Sequence, residues 1–203
     1  MRSGAARFSW RAMSLALAGI LVLVLSGCTG RGGGQLPPDG LFKGAASVGF
    51  TFSCEDRGGL NPPTGRLSIE LAYADKGTNP IGSSFGIHGV VDTIDPVLES
   101  AVCISQNQPP GVNELIFLGR YRLLTSPPAG FPKSCLARDT STSPLCRFEV
   151  IVRDNDANLA PSKGDFYSIK LSTVTSSLIT DFPVASVFYA RAGVLSNGNL
   201  TVN

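Results

Sequence analysis

The stretch Ser47-Val48-Gly49-Phe50-Thr51-Phe52-Ser53-Cys54 places an apolar side chain at every second residue and a small or polar one between. In an extended chain that period puts one face inward and the other toward solvent, so a β-strand is predicted here. The alternation returns at Leu67, Ile69, Leu71 and Tyr73, at Leu115, Phe117, Gly119, Tyr121 and Leu123, at Cys146, Phe148, Val150 and Val152, and at Tyr167, Ile169 and Leu171. Weaker runs over 85–94, 97–104, 184–192 and 200–202 bring the total to about nine strands.

Pro-Pro pairs at 37–38, 62–63, 109–110 and 127–128, with clusters of Gly, Asn and Asp, separate the runs and stop strands. Asn197-Gly198 is expected to close a two-residue hairpin between 190–195 and 199–202, because both residues tolerate positive φ. Helical apolar spacing is absent after the N-terminal segment. The expected fold is all-β and antiparallel, two sheets closing over one core as a sandwich, with a partly closed barrel as the alternative. Residues 41–203 form this domain, long enough to bury roughly 70% of the unfolded surface.

The N-terminal segment has a different character. Arg2, Arg7 and Arg11 precede an almost wholly apolar run over 12–25, and Leu25-Ser26-Gly27-Cys28 follows. A basic start, an apolar centre and small residues at the end describe a secretory signal peptide, too short to span a bilayer, over 1–27. The ending resembles the lipobox of bacterial lipoproteins, in which a peptidase cuts before the Cys and diacylglycerol is attached to its sulfur. That resemblance implies a signal helix that is removed, acylation (palmitate or similar) of Cys28, and anchorage to a membrane of the cell envelope. Two or more acyl chains hold a protein there stably. Residues 28–40, CTGRGGGQLPPDG, are expected to be the lipidated Cys and a flexible tether.

Over the whole chain, 43% of the 203 residues are hydrophobic and 16% charged, which excludes a disordered tail and a coiled coil. The formal charge is +2, but three of the 17 bases precede Cys28 and all 15 acids follow it, so the remainder carries 14 − 15 = −1. The single Trp, Trp10, also lies in the signal. Arg120 and Arg122 are the nearest thing to a basic patch, and alternate strand positions of this kind usually form a solvated face, so nucleic acid is not an expected partner.

Of the five cysteines, Cys28 is assigned to lipid. The other four, Cys54, Cys103, Cys135 and Cys146, suit two disulfides in an exported domain. Short C-x-x-C spacings for a metal are absent. Of three connectivities, Cys54 with Cys103 and Cys135 with Cys146 is favoured because the second closes a short polar loop; the others stay open.

Three segments could carry chemistry. Gly82-Ser83-Ser84-Phe85-Gly86 matches the G-x-S-x-G elbow of hydrolases, with His88, the only histidine, four residues on. That motif works at a strand-to-helix turn with the His later in the chain, and along a strand Ser84 and His88 lie roughly 13 Å apart. Asp154, Asp156 and Asp165 could offer oxygen ligands to Ca²⁺, or could instead make Asx turns without an ion. No other cofactor is expected. Exposed aromatic platforms for a carbohydrate are not evident either, since Tyr73 and Tyr121 sit in phase with the core.

The segments 119–122, 148–155, 164–171 and 198–202 together are similar to a small β-sandwich module found in secreted and surface proteins of bacteria. The resemblance covers roughly 119–202 and implies no enzymatic activity, cofactor or catalytic residue. The expected function is therefore a non-catalytic, lipid-anchored module of the bacterial cell envelope, on either membrane, that binds an envelope protein or polymer. The alternative is a lipid-anchored hydrolase or a small-ligand or carbohydrate binder using Gly82–His88.

Overall fold

A computed structural model of the chain describes residues 28–56, 65–90, 113–136, 145–155, 164–175 and 184–202. They form nine strands: β1 (Cys28–Leu36), β2 (Ala46–Asp56), β3 (Gly65–Asp75), β4 (Phe85–Val90), β5 (Glu114–Leu123), β6 (Arg147–Arg153), β7 (Phe166–Ser172), β8 (Val187–Val194) and β9 (Asn197–Val202). All pair antiparallel, in the order β8-β7-β6-β5-β4-β3-β2-β1-β9. The all-β antiparallel expectation holds. One continuous ladder replaces the two separate sheets of a sandwich, and it curls strongly into a half-barrel, so the partly closed barrel is the form that fits.

The period-two residues fill the concave side. Phe50, Phe52, Phe117, Phe148, Val150, Tyr167 and Ile169 are all buried. Phe117 touches Phe50 and Phe148 with ring centroids 5.3 and 6.0 Å apart. Tyr73 and Tyr121 are core residues, as their phase predicts.

Two expectations are corrected. Residues 28–36 are a strand, paired with β2 from Cys28↔Cys54 to Leu36↔Ala46, and are no flexible tether. Its glycines explain both the strand and its disguise. Gly30, Gly32 and Gly34 stand opposite Phe52, Phe50 and Val48, in the inward phase. A Cβ on Gly30 would lie 2.5 Å from Leu115 Cδ2, and one on Gly34 would collide with the Asn197 carbonyl oxygen. Glycine here makes room for large neighbours, and composition alone cannot separate that from a flexible coil.

The second correction concerns Asn197-Gly198. These residues begin β9, which pairs with β1 (Gln35↔Asn197, Gly30↔Val202) and not with β8. The link is Leu195-Ser196, whose N–H groups donate to Asp165 O and Gln35 O, each at 2.8 Å. Gly198 does take positive φ, +104°, but for close approach to Gly33 and Gly34 of β1. Consecutive strands β8 and β9 thus lie at opposite ends of the sheet order. The total of nine agrees for a mixed reason: β1 was unforeseen, and the run over 97–104 lies outside the described residues.

Cys135 and Cys146 are disulfide-bonded, with Cα atoms 5.3 Å apart, as favoured. Cys54 is also disulfide-bonded, to a sulfur outside the side chains described; Cys103 lies among residues not described.

Candidate functional site

Outward positions of β1 to β5 align in one row, Gly33–Gly49–Ala72–His88–Arg122. Nothing lies within 4 Å of where a Cβ on Gly49 would stand. Gly49 and Ala72 leave a shallow hollow of about 270 Å³ on the outer face, lined by residues 49–51, 70–72 and His88. His88 Nε2 meets Glu70 Oε2 at 2.7 Å, across the β3–β4 pair. Nδ1 of the same ring is buried and has no hydrogen-bond partner among the described residues.

Ser84 does not share that arrangement. Its motif opens into strand β4, not a helix. Gly82, at φ +122°, forms a bridge with Asn79. Asn79 braces the turn: its amide donates to Ser83 O at 3.0 Å and its Oδ1 accepts from Ile81 N–H at 3.1 Å. His88 is engaged by Glu70, and Ser84 is exposed in the loop before it.

Asp154 and Asp165, two of the proposed Ca²⁺ ligands, are buried and accept from backbone N–H groups. Asp165 takes Asn155 N–H at 3.0 Å and Leu200 N–H at 2.7 Å, and Asp154 takes Val202 N–H at 3.3 Å. They fasten β9 to the end of β6 and the start of β7, a use that needs no ion. Asp156 lies outside the described residues. Among the described residues no group of three or more His, Cys, Asp or Glu is gathered for a metal.

Sequence reasoning missed the most polar part of the interior. At the opposite end of the seam, Arg191 of β8 pairs with Asp75 of β3 at 3.1 Å, both side chains essentially inaccessible. Arg191 Nη2 also donates to Pro37 O at 2.8 Å and Gly44 O at 2.9 Å, and its guanidinium lies 4.5 Å from the Phe42 ring centre. Tyr189 donates to Asp75 Oδ2 at 2.7 Å and is hydrogen-bonded to Tyr73. A signal existed: Arg191 shares the inward phase of Tyr189, and Asp75 that of Leu71 and Tyr73, so two opposite charges were due inside the same core. Burial pushes the phenols of Tyr73, Tyr121, Tyr167 and Tyr189 well above their ordinary range.

On the outer face Arg122 is exposed as expected, but Arg120 is buried beside Arg147. No helix among the described residues is long and apolar enough to cross a membrane. No protein-family model, curated protein or solved structure matches the chain.

Proposed function

We propose that the protein is a lipid-anchored component of the bacterial cell envelope whose half-barrel is a non-catalytic structural or interaction module. The observation that carries this reading is the apolar run 12–25, behind three arginines, ending in Leu-Ser-Gly-Cys28. The aromatic core is filled with side chains, and the inner polar groups serve the seam, which suits a module acting through its surface. Expression of the full chain in a bacterial host tests it. Cys28 of the mature protein is expected to carry the diacylglyceryl mass, and Cys28→Ser is expected to abolish that mass. A Cys28 thiol without lipid in the wild-type protein would overturn it.

The outer hollow supports a second reading, binding of a small ligand or carbohydrate beside His88 and Glu70. Titration with oligosaccharides while following the His88 ring resonances by NMR tests it; unmoved resonances across the series would count against it.

A further inference from the structure

We propose that the end of the half-barrel opposite Cys28 is a docking surface for an acidic segment of a partner protein, held by Leu41, Leu124 and three lysines. It rests on the interaction-module reading and names the surface of that module and the chemistry of its partner.

Because neighbouring strands run antiparallel, the β1–β2, β3–β4 and β5–β6 connections all leave the sheet at one end. Residues 37–45, 76–84 and 124–136 of these connections are locked together. Lys43 N–H donates to Thr78 O at 2.8 Å and Lys76 N–H to Ala45 O at 3.1 Å. Gly130 N–H donates to Ile81 O at 2.9 Å, and Gly86 N–H to Thr125 Oγ1 at 3.0 Å. Gly44 and Gly77 pass so close that a Cβ on Gly44 would collide with the Gly77 backbone.

This locked surface is both apolar and basic. Of the large hydrophobic side chains that are exposed among the described residues, Leu41 (71%), Leu124 (60%) and Val184 (84%) all stand at this end, and a cluster of that kind marks an interaction site. Lys43, Lys76 and Lys133 are exposed beside them. The one acid of the three segments, Asp39, is turned onto its own loop, where it accepts Leu41 N–H at 2.7 Å and Phe42 N–H at 2.9 Å. The chain after residue 27 sums to −1, so the basic excess is local and favours a partner of opposite charge. Ser83 and Ser84, exposed in the β3–β4 connection, add hydroxyls to the same surface. The stretches 137–144 and 176–183, with Arg138, Asp139 and Asp181, lie outside the described residues, and no contact is assigned to them.

Two features favour a protein over a bilayer. Cys28 is at the other end of β1, about 26 Å along the strand, so a membrane holding its acyl group faces away from Leu41. The hydrogen-bonded connections also fix the spacing of the leucines and lysines, a preorganisation that benefits binding to a shaped partner.

Photo-crosslinking tests this. p-Benzoylphenylalanine is placed at position 41, 124 or 192 of the full chain in its native cells, each variant matched to wild type by thermal melt. Positions 41 and 124 are expected to link to the same protein through a peptide of net negative charge, and Ala192, exposed on the wall at β8, is not. Reversing the lysines together (Lys43→Glu, Lys76→Glu and Lys133→Glu) is expected to lower the yield about tenfold. Products on phospholipid, on two different proteins or on peptides without an acidic excess would overturn the proposal, as would a yield that the lysine reversal leaves unchanged. Equal crosslinking from position 192, or crosslinking from 192 alone, would overturn this surface and leave the interaction module standing. No product from any of the three positions would overturn both.

Discussion

Arg191 and Asp75 lie 116 positions apart and meet as an inaccessible ion pair, Nη1 to Oδ2 at 3.1 Å, that ties the β8 edge to the middle of the sheet. The backbone ladder does not join β8 to β9, so side chains of this kind close the gap between the two edges.

Removing one partner leaves the other charge buried. Arg191→Met and Asp75→Ala are each expected to cost about 3–5 kcal/mol, and the double substitution less than their sum. Urea denaturation of the three variants checks this; additive losses would show that the pair does not act as a unit.

Gly34 distinguishes a strand from a tether. In Gly34→Ala the new Cβ meets the Asn197 carbonyl and lies 2.8 Å from Leu195 Cδ1, so β9 must move, at about 1–3 kcal/mol. Gly40→Ala, with nothing within 4 Å, is expected to be neutral or slightly stabilising. Equal melting temperatures for the two variants would contradict the pairing of β1 with β9.

The buried tyrosines set an alkaline limit. Their folded pKa values are raised, by burial first, while the unfolded phenol titrates near 10. Below that value their contribution to stability is fully present. As pH rises above it the unfolded chain loses protons that the folded one keeps, so stability falls. Absorbance at 295 nm is expected to show no phenolate until the protein unfolds, and then all four tyrosines together.

The cysteines bear on the proposed lipid anchor by elimination. With Cys135 and Cys146 paired, the disulfide of Cys54 must use Cys103 or Cys28. Cys28 faces Cys54 in register, and opposite residues of antiparallel strands lie about 4.5–5.5 Å apart at Cα, within disulfide range. A thioether to lipid removes that option. Peptide mapping of the membrane-extracted protein is expected to give Cys54–Cys103; a Cys28–Cys54 peptide there would contradict acylation.

The inward faces of β2, β3 and β5 to β7 were legible in the sequence because large apolar residues mark every second position. β1 was not, because its inward positions are glycines, which carry no apolar signal and are informative only once Phe50 and Leu115 are known to press against them. Asn197-Gly198 misled for a related reason: positive φ at Gly198 serves a close approach between strands, and the local dipeptide looks the same as a turn. The His88–Glu70 pair depends on the register of β3 with β4, which the sequence does not specify.

Pairing β1 with β9 also bears on the order of events during folding. Gly30 and Val202 are neighbours in the sheet, so a chain made from its N-terminus has an incomplete ladder until the last strand emerges. Contacts this distant in sequence form slowly. The topology therefore postpones closure of the domain until synthesis is nearly finished.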